Sequence, residues 1–340
     1  MVCGIYNDPE RMELLCEMEC WLGARHAVQT VFTPWNEGAI EGLFERILPA
    51  IWDAGRIPLL TWEPYTQPDE STDSPIAARI TTGEFDTYLD RWTTRLVEWL
   101  AGSDNELKTT DDRRLYLRFA HEMNGDWYPW SPAAEESQTP ADYIEMWRYV
   151  HDRVMRERIG DDHLQWVWCV NHTDVGAQAE DLYPGDTYVD WVGVDGFNWG
   201  ASRDWATWRS PRETFSEMFD RLDALTDKPR CVPEFASTAR TATGHDPQKK
   251  AEWIRDAYQY LDGAGVGMAC WFNEDKETDW AVFGGEYGTD SATVDGVPHE
   301  AYPTYREAIT DIGGVQLQNQ TDTMNPARNR VSDAEFFGTS

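Results

Sequence analysis

Eight short apolar runs alternate along this chain of 340 residues with longer segments whose apolar residues recur at helical spacing. The strand-like runs are Val2–Tyr6, Ala27–Phe32, Ile57–Trp62, a run from Leu115 to Glu122, Leu164–Val170, Asp190–Val194, Arg230–Val232 and Val266–Phe272. The helical segments are Pro9–Leu22, Ile40–Trp52, Asp86–Leu100, Ala141–Ile159, Pro211–Leu225, Pro247–Leu261 and Glu300–Ile312. Strands that alternate with helices pair in parallel, and eight of them close into a barrel. The sequence therefore predicts an α/β fold, a single (β/α)8 TIM barrel over residues 1–312.

An open, doubly wound sheet is the alternative arrangement for the same alternation. No G-x-G-x-x-G sequence follows the first strand-like run, so dinucleotide binding at such a sheet has no support. From Gly313 onward the chain is polar and lacks periodicity. We expect residues 313–340 to form a polar C-terminal tail that lies on the surface or is loosely ordered.

The chain is strongly acidic, with 61 Asp and Glu against 29 Lys and Arg and a formal net charge of -32. Such a surface repels phosphate groups, so neither a nucleic-acid partner nor an anionic membrane is expected, and no apolar segment is long enough for membrane insertion. At ordinary ionic strength this much like charge strains the compact state, whereas molar salt shortens the screening length to about 3 Å. Our hypothesis is a halophilic protein.

Six cysteines occur without a C-x-x-C pair, and we predict that they are buried free thiols, which mildly favours a reducing compartment. The first strand-like run begins at Val2, which leaves no room for a secretory signal. The expected location is cytoplasmic if the chain is full length and extracellular if a leader was removed. We expect a monomer.

The stretch Arg118–Trp130 joins an apolar strand pattern to a cluster of polar and aromatic groups, as in the wall of a carbohydrate-binding cleft. In (β/α)8 barrels the active site lies at the carboxyl ends of the strands, so residues there are the candidates for function. Five tryptophans follow or end strands, where a flat apolar face can stack on a pyranose ring. They are Trp62, Trp127, Trp130, Trp199 and Trp271. Polar candidates for substrate binding at the same positions are Asn124, Asn171 and Asn198.

Two glutamates end buried strands. Arg118 and Glu122 share a face of the fourth strand by the period of two, and Glu234 shares a face of the seventh strand with Arg230. Carboxylates that reach inward from these strands can approach to about 5 Å, the separation that retaining glycoside hydrolysis requires. One carboxyl must then be protonated and the other ionised. Arg118 could keep Glu234 ionised through an ion pair, while aromatic neighbours desolvate Glu122.

Three motifs carry a resemblance to a known family. They are R-F-A-H-E-M-N-G-D-W-Y-P-W at Arg118–Trp130, Y-P-G-D-T-Y-V-D-W-V-G-V-D at Tyr183–Asp195 and P-E-F-A-S at Pro233–Ser237. In this order they resemble glycoside hydrolase family 26, best known for endo-β-1,4-mannanases. The resemblance spans nearly the whole predicted barrel.

The resemblance implies that Glu122 is the acid/base and Glu234 the nucleophile of a double displacement, and that His121 binds sugar near the cleavage point. It implies no cofactor, and H-E-M-N-G lacks the second histidine of the metal motif H-E-x-x-H, so no metal is expected. The family usually has a tyrosine two residues after Asp195, whereas this chain has Phe197. The hydroxyl group that would contact the nucleophile is therefore lost.

These observations favour a retaining endo-acting β-glycanase that cleaves internal β-1,4-mannosidic bonds. Relatives of the family also cleave mixed-linkage β-1,3-1,4-glucan or β-1,3-xylan, and the tryptophan-rich loops here do not exclude the glucan. The substitution at Phe197 leaves open a different class of protein, a non-catalytic barrel that only binds glycans.

Overall fold

The eight strand-like runs close into one parallel barrel, as predicted. A computed structural model describes residues 1–67, 75–134, 137–157, 159–312, 316–317 and 331–339. The barrel strands are β1 Val2–Tyr6, β2 Val28–Pro34, β3 Ile57–Glu63, β4 Leu115–Phe119, β5 Leu164–Asn171, β6 Trp191–Asn198, β7 Arg230–Ser237 and β8 Met268–Phe272. Each strand pairs with the next, and β8 pairs with β1 from Val2↔Met268 to Tyr6↔Phe272. The single (β/α)8 barrel is therefore confirmed.

The helices are α1 Met12–Leu22, α2 Glu37–Gly42, α3 Leu48–Asp53, α4 Ile76–Thr81, α5 Asp86–Leu100, α6 Pro140–Met155, α7 Pro211–Leu225, α8 Pro247–Gly263, α9 Pro303–Asp311 and α10 Asp333–Phe336. Two helices, α5 and α7, have the predicted bounds, the other predicted helices have shifted ends, and α4 and α10 were not predicted. The predicted second helix is divided, because a π-helical turn over Leu43–Ile47 separates α2 from α3. Pro49 at the start of α3 has no amide hydrogen for the continuous α-helical ladder, which accounts for the interruption there.

The connection from β5 to β6 differs from the other strand connections. It contains two short 3-10 turns, Ala179–Leu182 and Asp186–Tyr188, in place of an α-helix. Pro184 lies between them, and Gly185 has a φ of 101° that favours glycine. The chain therefore returns to the barrel through turns at this point.

The chain divides into two compact units, each made of separate segments. The first contains Met1–Val31, Val194–Asp220 and Pro229–Ser340, and the second contains Phe32–Gly193 and Arg221–Lys228. In the first unit, β1, β7 and β8 pack under α8 and α9, and Trp271 is a buried core residue. In the second unit, β3, β4 and β5 pack with α5 and α6, and Trp62 and Trp147 are buried in the core.

The end of the predicted barrel segment differs from its prediction. Residues Asp290–Val294 and Val297–Ala301 form an antiparallel hairpin, so the last long helix begins at Pro303 and not at Glu300. Of the predicted tail, residues 313–315, 318–330 and 340 lie outside the described residues, and the domain boundary stays a prediction. Gln316–Leu317 pairs with Ala24–Arg25, and the side chain of Phe336 is buried.

All six cysteines are free. Cys3, Cys169, Cys231 and Cys270 are buried, as predicted, whereas Cys16 and Cys20 on α1 are exposed. The prediction was wrong for these two because Leu15 and Met18 supply the buried face of that helix. None of the described helices is both long enough and apolar enough to cross a membrane.

Candidate active site

Glu122 lies in a turn beyond β4 and not in the strand itself. The strand ends at Phe119, and both Ala120 and Glu122 have a left-handed backbone, with φ of 43° and 52°. The Ala120 amide donates to the carbonyl of Trp62 at 3.1 Å, and the Glu122 amide donates to that of Cys169 at 2.8 Å. The predicted period-two register therefore does not reach Glu122, because hydrogen bonds to both neighbouring strands set its position instead.

Trp127 turns back over this segment and contacts the carboxylate. Its indole N–H donates to Glu122 Oε2 at 2.8 Å, while 45% of the residue remains exposed. A Cβ atom on Gly125 would lie 2.5 Å from the indole ring, so the close approach needs glycine at that position. The predicted sugar-stacking residue Trp127 thus combines an exposed face with a hydrogen bond to the candidate acid.

His121 is buried beneath the same turn. Its Nε2 lies 3.1 Å from the hydroxyl of Tyr128, and burial, with a smaller contribution from the Arg118 charge, holds the pKa of the imidazole well below its ordinary value. The ring is therefore neutral at neutral pH. A neutral imidazole beside Glu122 in sequence fits the predicted role of a hydrogen-bonding group for sugar, which stays a prediction.

Trp130 serves as a support for this histidine. It is fully buried, its ring stacks on Tyr128 at 4.4 Å, and its indole N–H donates to the His121 carbonyl at 2.7 Å. Neither face of the ring reaches the surface, so this burial does not favour the expected role as a sugar platform, which stays a prediction. Tyr65 extends the cluster, with its ring 5.1 Å from that of Trp130.

Arg118 is fully buried, and its guanidinium contacts the neighbouring strand β3. Nε donates to Thr61 Oγ1 at 2.9 Å and Nη2 donates to the same oxygen at 2.6 Å. The guanidinium carbon lies 5.6 Å from the centre of the Phe32 ring. The predicted ion pair between Arg118 and Glu234 stays a prediction.

Glu234 lies inside β7, which is longer than predicted and continues through Pro233 to Ser237. Its carboxylate is buried and comes within 4.8 Å of the buried carboxylate of Asp195 on β6. Tyr6, the last residue of β1, lies in the field of Glu234. Burial, then the charges of Glu274, Asp8 and Glu234, raise the pKa of the Tyr6 hydroxyl above its ordinary value.

Tyr6 was missed in the sequence, although the signal was present. It ends the first strand, and the rule that selected the other candidates applies equally to it. Its ring stacks on Phe272 at 4.5 Å, and Phe272 contacts Phe197 edge-on at 5.8 Å. An uncharged phenol therefore faces the same group of residues as Phe197.

Trp271 lies on the opposite side of β8 from Phe272. It is fully buried, its ring packs against Phe235 at 5.0 Å and Tyr305 at 5.9 Å, and its indole N–H donates to the carbonyl of Trp280 at 3.1 Å. These contacts do not favour the predicted stacking of Trp271 on sugar, which stays a prediction. Successive strand residues face opposite sides, so Phe272 takes the position that the sequence interpretation gave to Trp271.

Trp62 is also a core residue, which does not favour its predicted role as a sugar platform. It is fully buried and stacks on Trp92 with ring centres 3.9 Å apart. Its indole N–H donates to the hydroxyl of Tyr88 at 3.2 Å. Both the apolar face and the polar edge of Trp62 are thus used inside the protein.

The asparagines predicted to bind substrate connect loops. The Asn124 side chain accepts from the Asn171 amide at 2.8 Å and donates to the Asn171 carbonyl at 2.9 Å and to Asp174 at 2.8 Å. The Asn171 side chain donates to the Thr173 carbonyl at 2.7 Å. The Asn198 side chain donates to Ser237 and accepts from two loop amides. Because these amides already bond to protein groups, their predicted role in direct sugar binding is not supported.

Phe197 and Trp199, at the end of β6, are both half-buried and lie beside Trp280. The ring centre of Trp280 is 5.1 Å from that of Phe197 and 4.8 Å from that of Trp199. Trp280 was missed because it follows β8 by eight residues, in a loop without strand or helix periodicity. These three rings form an aromatic wall beyond Asp195.

Comparison with known proteins finds that the chain is similar to glycoside hydrolases. The sequence model of the family described as glycosyl hydrolase family 26 matches residues 48–210. Endoglucanase H of Acetivibrio thermocellus is 33% identical over 266 residues, which cover 76% of this chain and 25% of that protein. Beta-1,3-xylanase TXYA of a Vibrio species is 28% identical over 181 residues, 50% of this chain and 37% of the xylanase. The chain thus spans about a third or less of the length of these relatives.

Among solved structures, the catalytic domain of a GH26 endo-beta-1,4-mannanase from Bacillus sp. JAMB-750 superposes with a TM-score of 0.62. The aligned region covers 98% of this chain and 90% of that domain at 16% identity. At this identity the likeness establishes the barrel fold.

Proposed function

We propose that the chain, which is similar to glycosyl hydrolase family 26, is a retaining glycosidase in which Glu122 is the acid/base and Glu234 is the nucleophile. What supports the proposal is that Glu122 follows β4 and Glu234 lies in β7 of one closed barrel, together with the match of residues 48–210 to the model of this family. Retaining hydrolysis needs two carboxyl groups about 5 to 5.5 Å apart, one on each side of the scissile bond.

In the first step Glu122 donates its proton to the leaving-group oxygen while the Glu234 carboxylate attacks the anomeric carbon. The bond to the leaving group breaks and a glycosyl ester forms on Glu234. In the second step Glu122 removes a proton from water, whose oxygen displaces Glu234 from the sugar. Two inversions give net retention.

The environment of each residue supports its role. Glu122 accepts a hydrogen bond from the partly exposed Trp127, so solvent and substrate can reach the site of proton exchange. Glu234 is buried, near Asp195 and the uncharged Tyr6. The Glu234 charge is one of several acidic charges that, with burial, raise the pKa of the Tyr6 hydroxyl.

For the substrate, mannan follows from the motif resemblance, and the proposed reaction is cleavage of internal β-1,4-mannosidic bonds. A second candidate, a β-glucan, is favoured by a specific observation. The relative named endoglucanase H matches 76% of this chain at 33% identity. Both candidates are neutral β-linked polysaccharides, which suits a strongly acidic protein.

The catalytic assignment is tested with Glu122→Gln and Glu234→Gln, and with the isosteric control Glu41→Gln on the surface. Both active-site variants should lose at least about 100-fold in kcat, because a general acid/base alone contributes that much, and the control should keep wild-type activity. Azide added to Glu122→Ala should give a β-glycosyl azide, and azide added to Glu234→Ala should give the α-anomer. Full activity of either glutamine variant would refute the assignment.

A panel of mannan, glucomannan, lichenan and β-1,3-xylan tests the substrate by release of reducing sugar, at molar and at low salt. Product from mannan alone supports the first candidate, and product from lichenan alone supports the second. Retention of binding without any product would instead support the non-catalytic barrel. NMR of the first product, read before mutarotation, shows whether the anomeric configuration is retained.

A further inference from the structure

Trp205 is the most exposed large apolar side chain in the part of the chain that the structure describes. The residue is 71% exposed and lies between β6 and α7. Single exposed apolar residues are common on protein surfaces and need no special explanation. The position of Trp205 distinguishes it, because its ring centre lies 5.3 Å from that of Trp199.

The loop that carries Trp205 is held at both ends. Asn198 Oδ1 accepts from the amides of Gly200 at 3.3 Å and Arg209 at 2.9 Å, and the Arg209 carbonyl accepts from the Trp253 indole at 2.9 Å. Gly200 has a φ of 52°, and a Cβ atom there would lie 2.1 Å from the Arg240 carbonyl oxygen. The exposed indole is thus presented by a fixed loop.

Four aromatic rings form a continuous row that leads from the proposed catalytic centre to Trp205. Phe197, two residues after Asp195, contacts Trp280 at 5.1 Å, Trp280 contacts Trp199 at 4.8 Å, and Trp199 contacts Trp205 at 5.3 Å. From Trp280 outward the exposure increases, from the buried Trp280 through the half-buried Trp199 to the exposed Trp205. The row is therefore continuous with the site and opens to solvent at its far end.

Arg203 provides a cation at this outer end, where the exposed Asp204 also precedes Trp205. The Arg203 guanidinium carbon lies 5.4 Å from the centre of the Trp199 ring, and its Nη1 donates to the Ser202 carbonyl at 3.2 Å. The remaining donors of the guanidinium point to a ligand with many acceptor oxygens, and the rings point to one with flat apolar faces. A pyranose unit has both properties.

We propose that Trp205 and Trp199 form an outer sugar-binding subsite, which holds a pyranose unit of the β-linked chain several units away from the bond that is cleaved. This inference rests on the proposed function and extends it, because it makes affinity depend on the length of the glycan. Trp205 supplies stacking area, and Arg203 supplies hydrogen bonds to hydroxyl groups at the rim. Neither residue contacts the reacting atoms.

The test compares Trp205→Ala and Trp205→Phe with wild type on short and long oligosaccharides of the polysaccharide that the wild type degrades. Trp205→Ala should lower kcat/KM on long oligosaccharides roughly tenfold, mainly through KM, because a tenfold change corresponds to the loss of one good aromatic contact. Values on the shortest substrate should be unchanged, and Trp205→Phe should recover much of the loss. Val297→Ala, which alters another exposed apolar side chain, is the control.

Equal losses on short and long substrates, or no loss on either, would overturn the subsite while leaving the proposed reaction intact. The same tryptophan variants in the Glu122→Gln background, run through native gels containing mannan or lichenan, give a reading that is independent of catalysis. If wild type cleaves no glycan but Trp205→Ala weakens retardation in these gels, the subsite stands and the proposed reaction falls. If the Trp205→Ala variant in the Glu122→Gln background is retarded as strongly as Glu122→Gln alone, the subsite proposal is overturned.

Discussion

Gly200→Ala is the substitution whose cost the structure defines most sharply, because a second glycine offers a matched control. Gly200 and Gly23 both have left-handed backbones, with φ of 52° and 67°. An L-residue in this conformation costs roughly 1–2 kcal/mol at either position. They differ in surroundings, because a Cβ on Gly23 meets nothing within 4 Å, whereas one on Gly200 would lie 2.1 Å from the Arg240 carbonyl oxygen.

The Arg240 oxygen belongs to the backbone and accepts a hydrogen bond from the Ala201 amide at 2.8 Å, so it cannot move without loss. Relief of the overlap should cost a further roughly 1–3 kcal/mol. We therefore expect Gly23→Ala to lower the free energy of unfolding by about 1–2 kcal/mol and Gly200→Ala by about 2–5 kcal/mol. Urea titrations in molar salt measure both values. Losses that agree within about 0.5 kcal/mol would show that the contact with Arg240 carries no cost and would refute the reasoning.

Three further predictions concern protons and salt. Trp127→Phe keeps an aromatic ring but removes the indole N–H that donates to Glu122 Oε2. Because that hydrogen bond favours the carboxylate, the alkaline limb of kcat/KM should move to higher pH, and an unmoved limb would count against Glu122 as the acid. Burial lowers the pKa of Lys250 from 10.5 to about 8. Between pH 8 and pH 10.5 the Lys250 amine is therefore protonated in the unfolded chain and neutral in the folded protein. Wild type should therefore gain up to about 3 kcal/mol of unfolding free energy relative to Lys250→Met as pH rises from 8 to 10.5, and a pH-independent difference would contradict this. Lowering the salt from about 1 M to about 0.1 M should lower the thermal midpoint and the activity, because the net charge of -32 is then poorly screened; equal values at both concentrations would refute the halophilic hypothesis.

The barrel could be predicted from the sequence because its signals are local and repeated. Eight predicted elements match the structure or differ from it by at most two residues at each end: β1, α5 and α7 have the predicted bounds, and the other five are β2, β3, β5, β8 and α8. The hairpin before α9 was missed because Glu300 and its neighbours are as compatible with a helix start as with an exposed strand. The interruption between α2 and α3 was missed because Pro49 interrupts a segment whose apolar spacing stays helical on both sides.

The residue types at the strand ends were predicted better than their orientations. Trp271 and Phe272 are adjacent on β8, and a difference of one residue moves a strand side chain to the opposite face. Neither residue carries a sequence signal that says which of the two faces inward. The asparagines pose a similar difficulty, since an amide that binds a sugar hydroxyl and one that connects two loops, as Asn124 does, require the same side chain.

The turn that carries Glu122 shows why the candidate catalytic residue could be identified although its backbone could not. Ala120 and Glu122 adopt conformations that favour glycine, but the sequence has no glycine between Leu115 and Gly125. Strain of this kind persists only where the surrounding structure compensates for it, here through hydrogen bonds to the carbonyls of Trp62 and Cys169 on the two neighbouring strands. These partners lie 58 and 47 residues away in the chain, at 62 and 169 against 120 and 122, so no local pattern reveals them. The carboxylate is consequently directed by contacts with β3 and β5, and its position depends on the closure of the barrel more than on the alternation of β4.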